Sequence, residues 1–305
     1  MQSAISPQDR ILGCLLGGAL GDAWGGPHEG APPLDRFEIP LRSKLSDDTQ
    51  MTVATCESIV ERGAVDAEHL ASHFLTWFRE RRIHGIGAST LKSMRDLAAG
   101  VHWALAGHRG ERAAGNGAAM RIAPLAFLLD PTNPNDRTTI RDVCRITHHN
   151  DEAYVGALAV VLAIRSVLSG EWSREHSFLT ALVGSLPDSA VRDRIEELLP
   201  LQVSVTEAAV RFGASGYVVD TVPLALYAAQ FITMQPLEGV LAQTISAGGD
   251  TDTIASIAGQ LAGCVVGPLG ISKERFDDVE GGEEVLDVAR QFAEFVAQQN
   301  SQQRP

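Results

Sequence analysis

Cysteine is scarce in this chain of 305 residues: Cys14, Cys56, Cys144 and Cys264 stand far apart and form no CxxC pair, which removes the usual zinc and dithiol signatures. Each lies among apolar neighbours and reads as a small buried hydrophobe. Positive charge is also short, since 25 Lys and Arg against 38 acids leave a net charge of −13. With no local basic patch visible, a protein that must neutralise a nucleic-acid backbone does not fit. The opening MQSAISPQDR lacks a basic segment followed by an apolar core, and the apolar run around Leu12 to Leu20 is short and broken by glycine. Neither a signal peptide nor a membrane span fits there, so a cytoplasmic protein without a membrane partner is expected. Strand signals are sparse as well: LQVSVT at 201–206 alternates, but a lone short strand builds no sheet.

What is present is helical. A composition of 45% hydrophobic and 21% charged residues suits a packed globule. Apolar residues recur at three-and-four spacing in MTVATCESIVERG, through Val53, Cys56 and Val60, and in LASHFLTWF, through Leu70, Phe74 and Trp77. The same spacing predicts helices over 8–21, 89–99, 117–129, 136–147, 151–169, 189–199, 220–232, 237–246, 251–265 and 284–298. Two of them, DEAYVGALAVVLAIRSVL and TDTIASIAGQLAGCVVG, are apolar around most of their circumference, as central helices are. The expectation is one compact all-α domain over 1–297, with a polar, flexible tail at 298–305.

Two stretches carry more oxygen than a fold needs: SDDTQMT at 46–52 and GGDTDT at 248–253. One Ser, Thr or Asp ahead of a helix is an N-cap, and Ser46, Asp47 or Asp250 can serve so. Capping consumes one side-chain oxygen, however. Asp47 and Asp48 are adjacent, and Asp250 and Asp252 flank Thr251 and precede Thr253. Like charges at a helix start repel, and the helix dipole offsets only about 1 kcal/mol per charge. A hard cation resolves the excess. Four carboxylates with Ser46, Thr49 and Thr253 suit Mg²⁺ or Mn²⁺, and two ions sharing bridging aspartates at about 3.5 to 4 Å are a known hydrolytic arrangement. Spacing alone does not bring the two stretches together.

Other blocks are weaker by themselves. GALGDAWGGPHEG sets Asp22 and Glu29 around a glycine-rich break that reads first as a helix stop. GNGAAMRIAP places Asn116 between glycines at a helix entry, either a plain turn or an amide-lined anion site. In THHNDEAYVG, His148 precedes a helix, where a histidine is usually a cap or surface group. Tyr217, in GASGYVVDT, is either a core aromatic or a stacking platform.

Taken together and in order, these blocks resemble the ADP-ribosylglycohydrolases, the group that includes dinitrogenase reductase-activating glycohydrolase and the vertebrate ADP-ribosylhydrolases. The resemblance spans nearly the whole chain through GCLLGGALGDAWGGPHEG, SDDTQMT, GIGAST, GNGAAMR, THHNDEAYVGA, SGYVVDT and SAGGDTDTIASIAGQLAG. It implies an orthogonal all-α bundle with a binuclear Mg²⁺ or Mn²⁺ centre at the base of an ADP-ribose cleft. By motif, Ser46, Asp47, Asp48, Asp250, Asp252 and Thr253 match metal ligands, and Glu29 matches a mobile acid that gates the cleft. Asn116, Gly117 and Met120 match the segment lining phosphates and ribose, His148 a substrate-contacting histidine, and Tyr217 an aromatic against the nucleoside. Ser46 replaces a threonine common in such proteins and keeps the hydroxyl. Gly85 stands where the nitrogenase-regulating branch tends to carry aspartate, which weakens the transfer of that branch's substrate.

The implied reaction is hydrolysis of the α-glycosidic bond between ADP-ribose and an acceptor, either an ADP-ribosylated protein side chain such as arginine or a small ADP-ribosyl conjugate. Metal ions would orient the ribose and activate water, and Glu29, Asp47 or Asp48 would transfer the proton. A monomer or weak homo-oligomer is expected. Two rivals stand beside this. A helical prenyl-diphosphate enzyme also binds Mg²⁺ through aspartate clusters but favours a third aspartate one turn on, where this chain has Met51 and Thr52. A catalytically silent ADP-ribose-binding or structural relative on the same scaffold sits poorly with retention of every acid.

Overall fold

The computed structural model describes residues 5–172 and 178–302. Fourteen α-helices follow one another: α1 (Pro7–Gly25), α2 (Asp47–Arg62), α3 (Ala67–Arg79), α4 (Ala88–Ala98), α5 (Pro134–Arg145), α6 (Asp151–Ser169), α7 (Phe178–Ser185), α8 (Ala190–Leu198), α9 (Val205–Phe212), α10 (Val218–Ala229), α11 (Leu237–Ser246), α12 (Thr251–Val266), α13 (Lys273–Asp277) and α14 (Gly282–Gln302). Four two-residue strands form two parallel ladders, β1 (Ser43–Lys44) with β4 (Val279–Glu280) and β2 (His108–Arg109) with β3 (His148–His149). The fold is all-α.

At its centre α1 lies antiparallel against α12. Gly13, Gly17, Gly21 and Gly25 recur every four residues down one face of α1 and meet Gly263, Gly259, Ala255 and Thr251. A Cβ on Gly17 would stand 2.4 Å from the carbonyl oxygen of Gly259, and one on Gly13 2.1 Å from that of Gly263, so the backbones touch where side chains ordinarily intervene. This contact fixes the ends of the pair, bringing Asp22, near the C-terminus of α1, to the N-terminus of α12. Helices α10, α11 and α14 pack around the pair. By length and composition α6 could cross a membrane, but 72% of its apolar window is buried inside the bundle, packed on α5, α10 and α12. All four cysteines are buried and free.

Three sequence expectations are corrected. Residues 117–129 form turns and a 3-10 helix, Ala123–Phe127. An α-helix through Pro124 would lose its i−4 hydrogen bond to Met120 and drive the ring into that carbonyl; the Met120 carbonyl instead accepts Gln260 Nε2 at 2.7 Å and Thr52 Oγ1 at 3.3 Å. The alternating stretch 201–206 pairs with no strand and runs into α9, whose Ser204 and Glu207 form a capping box. The final helix continues through Gln302 rather than ending at 298; positions 303–305 of the expected tail lie outside the described residues. Helices α7, α9 and α13 are short, and their few apolar residues gave no sustained period.

Candidate active site and metal centre

Helices α2 and α12 point their N-termini at the C-terminal turn of α1, so two positive dipole ends face one volume. Asp22 is the pivot. Fully buried, it accepts from Ser46 Oγ at 2.6 Å and Thr49 Oγ1 at 2.5 Å, and from the backbone amides of Ser46 at 3.0 Å and Thr49 at 3.2 Å. An acid on one helix thereby caps another, satisfying amides that a helix start leaves open. Ser46 Oγ, whose shortest bond is to Asp22, accepts from the Asp48 amide at 3.2 Å and stands 3.3 Å from Asp48 Oδ2.

The second acid stretch arrives on α12. Thr253 Oγ1 lies 3.3 Å from Asp48 Oδ2, across 205 positions of sequence, so the stretches meet. Asp250 occupies the N-cap position of α12 but makes no capping hydrogen bond; its Oδ2 instead accepts Asn116 Nδ2 at 2.6 Å. Ligand atoms of Asp22, Asp48 and Asp252 lie within 4.8 Å of one another, and so do those of Glu29, Asp250 and Asp252. Asp252 belongs to both groups. Asp48 Oδ1 is buried without a hydrogen-bond partner, an orphaned acceptor that a cation would satisfy. The all-oxygen donor set suits a hard divalent ion. Asp22 belongs to this cluster by distance, but its lone pairs are already engaged by hydroxyls and amides, which makes it the residue that aims Ser46 and Thr49.

Burial and mutual repulsion shift these acids. Burial, then Asp22, Asp250 and Glu29, pushes Asp47 up to about 7. Asp252 is raised to about 9 by burial and by Asp250. Asp48 is raised by burial, Asp22 and Asp252, and Asp22 by burial despite the hydrogen bonds that oppose it. Such clustering of perturbed acids marks a functional site.

Short backbone links assemble the walls. The amides of Gly30 and Gly249 bond the carbonyls of Gly249 and Ala31 at 2.7 and 2.9 Å, setting the exposed Glu29 at the mouth. Gly248 and Gly249 both have positive φ, and a Cβ on Gly249 would stand 1.9 Å from the Ala214 carbonyl oxygen, so this turn requires glycine. Gly115 bridges Tyr217, and Val218 N donates to the Ala114 carbonyl at 2.9 Å. The resulting cleft of about 280 Å³ is lined by Glu29, Asp47, Asp48, Asn116, Gly117, Met120, His148, Asp250, Asp252 and Thr253. Ser46 stands behind it as the N-cap of α2, and Tyr217, 43% exposed, is at the rim. Asp47 lines the wall outside both close groups, its Oδ1 directed at Gly85, where a Cβ would approach to 3.3 Å. Sequence reasoning missed the part of Asp22 and the lining by Ser89, Thr90 and Gly216; the signal for Asp22 was an acid following the apolar, glycine-rich run 11–21 of its helix. A larger cavity of about 560 Å³ beside Lys44, Trp77 and Arg82 holds no such convergence of buried acids.

Residues 3–303 match the model of the family described as ADP-ribosylglycohydrolase. The chain is 29% identical to ADP-ribosylhydrolase ARH3 of Homo sapiens, over 90% of this chain and 90% of that protein. It is 26% identical to ADP-ribosylarginine hydrolase Tri1 of Pseudomonas putida (strain GB-1), over 93% of this chain and 78% of the relative. Among solved structures, one described as an ADP-ribosylglycohydrolase-related protein complex superposes with a TM-score of 0.68 at 26% identity, covering 95% of this chain and 99% of that one.

Proposed function

The chain belongs to the ADP-ribosylglycohydrolase family and is a glycohydrolase; we propose that it cleaves, with divalent cations, the α-glycosidic bond joining the distal ribose of ADP-ribose to an acceptor side chain or small conjugate, reversing mono-ADP-ribosylation. The observation that carries this is the meeting of Asp48 and Thr253, from opposite halves of the sequence, beside an orphaned carboxylate oxygen.

Asp48 and Asp252, with the hydroxyls of Ser46 and Thr253, suit one Mg²⁺ or Mn²⁺, and Asp250 and Asp252 suit a second, with Asp47 completing the set on the wall. Such ions supply Lewis-acid charge for ribose hydroxyls and an acidified water. The protein's own groups do the rest. Asn116 holds Asp250 in place. The carboxylates surround the position of an oxocarbenium-like transition state and favour its positive charge. Glu29, exposed at the mouth and close to Asp250 and Asp252, meets both acceptor and solvent, so the leaving-group proton is assigned to it rather than to the buried Asp47 or Asp48. The pyrophosphate would rest against Gly117 of the 115–118 turn, the Asn116 backbone amide being engaged by the Gly216 carbonyl at 3.2 Å, and Tyr217 would flank the nucleoside at the rim.

The test is release of ADP-ribose from ADP-ribosylated arginine, ADP-ribosylated serine and O-acetyl-ADP-ribose, each with Mg²⁺, Mn²⁺ or chelator. Turnover of at least one substrate that stops with chelator supports the proposal. Tight ADP-ribose binding with no turnover of any substrate would instead establish a silent binding protein.

A further inference from the structure

Arg121 takes no part in the acid cluster, yet it is among the largest side chains fully removed from solvent. One amino nitrogen donates to Thr147 Oγ1 at 2.8 Å and, more distantly, to the Val143 carbonyl at 3.4 Å. Its guanidinium lies 4.8 Å from the centre of the Phe74 ring. The other amino nitrogen and Nε are buried without a partner. Burial lowers its pKa to about 10, so the group stays charged at neutral pH. A buried cation with two idle donors is costly, and an apolar residue of similar volume would pack there without that cost. Something must use the one strong hydrogen bond Arg121 makes.

That bond reaches the cleft through a single hydroxyl. Thr147 Oγ1 accepts from Arg121 and stands 2.8 Å from His148 Nδ1. With one lone pair engaged by the guanidinium, the hydroxyl keeps its proton for Nδ1; in that arrangement Nδ1 accepts and the imidazole proton sits on Nε2. Nε2 faces the cleft: a Cβ on Gly115 would lie 3.2 Å from it, and one on Gly117 3.4 Å. Strand β3 pairs His148 with His108 and holds the ring there.

We infer that Arg121 is a positioning residue which, acting through the hydroxyl of Thr147, fixes His148 as its Nε2–H tautomer and so presents a neutral hydrogen-bond donor to an acceptor oxygen of the substrate. The inference rests on the ADP-ribosyl reading of the cleft for the identity of that oxygen. Burial, and the adjacent Arg121, also depress the His148 pKa to about 3, in keeping with an imidazole that stays neutral.

The experiment is ¹⁵N NMR of the ¹⁵N-histidine-labelled full chain, with the His148 signals assigned from a His148→Gln variant, alongside calorimetric titration with ADP-ribose in the presence of Mg²⁺. Expected are a pyridine-type Nδ1 and pyrrole-type Nε2 in the parent protein. Thr147→Val should give a mixed or reversed tautomer and ADP-ribose affinity weaker by about tenfold, the loss of one well-placed hydrogen bond. Thr147→Ser should restore both, which no purely structural role of Arg121 would require, and Arg121→Met should follow Thr147→Val. A pyrrole-type Nδ1 in the parent, or an unchanged tautomer in Thr147→Val, overturns the relay. If the parent fails to bind ADP-ribose, the proposed substrate is wrong, while the spectrum still decides the relay.

Discussion

Single side chains decide whether the cleft can hold cations, and Asp22 is the most informative of them. Replacing it by Asn puts an amide donor among the hydroxyls and amides that now bond its oxygens. Asp22→Asn should cost about 1 to 3 kcal/mol in chelator, read by urea unfolding, and weaken Mn²⁺ binding by about 10- to 100-fold, read by calorimetry. The raised acids make a second expectation. In the cation-free fold Asp47 titrates near 7 and Asp252 near 9, against an ordinary aspartate value of 3.8. Groups whose folded pKa lies above the unfolded one stabilise fully below the unfolded value and lose that contribution as pH rises through the folded value. The melting temperature in chelator should therefore fall between about pH 4 and 9, and Mg²⁺ should reverse the fall while releasing protons to buffer. A flat profile would show that the acids are not buried together. Glu29→Gln should lower kcat by about 10² to 10⁴ while disturbing the cation-induced rise in melting temperature less than Asp252→Asn does.

Among the elements, the contact of α1 with α12 governs the site, because it alone sets Asp22 against Asp252. Gly17→Ala or Gly259→Ala pushes a methyl into the opposing backbone, with 2.4 Å and 2.2 Å available. Overpacking of this kind costs about 1 to 3 kcal/mol or more, and cation affinity should fall with stability because the helix ends separate. Gly184 is the control: it lies inside α7 and its Cβ would meet nothing within 4 Å, so Gly184→Ala should be neutral or stabilising by about 0.4 to 1 kcal/mol. Differential scanning calorimetry of the three variants, with and without Mg²⁺, distinguishes close packing from a general preference for glycine. The helices themselves were largely legible in the sequence: α6 and α11 run over the predicted 151–169 and 237–246. The 117–129 stretch was not, because its apolar spacing imitates a helix while Pro124 and the engagement of the Met120 carbonyl by Gln260 forbid one.

For the whole molecule, the proposed cation centre would make folding and binding one linked equilibrium. Such ions would bind only when the N-terminal and C-terminal thirds of the chain have met, so ligand at about 100 times its Kd should add about 2.7 kcal/mol to stability, a rise in melting temperature of about 4 °C for a chain of this length. Calcium, larger and looser in its coordination, should give a smaller rise per unit of occupancy and little turnover; equal rates with Ca²⁺ and Mg²⁺ would remove the case for templating of the ribose. A rise that persisted in the double variant Asp48→Asn, Asp252→Asn would locate the cation elsewhere.

Apolar spacing at three and four set the helical class, and acids and hydroxyls in excess of what capping requires marked the candidate site along the chain. Those are local properties, set by neighbours along the chain. Packing between distant segments brings Thr253 to Asp48, lets Asp22 cap a helix other than its own, turns Asp250 from its capping role to Asn116, and links Arg121 to His148 through a threonine. Each of these depends on which surfaces pack together. The four-residue glycine repeat on α1 finds its complement some 240 positions later on α12, and nothing in either segment alone specifies that pairing.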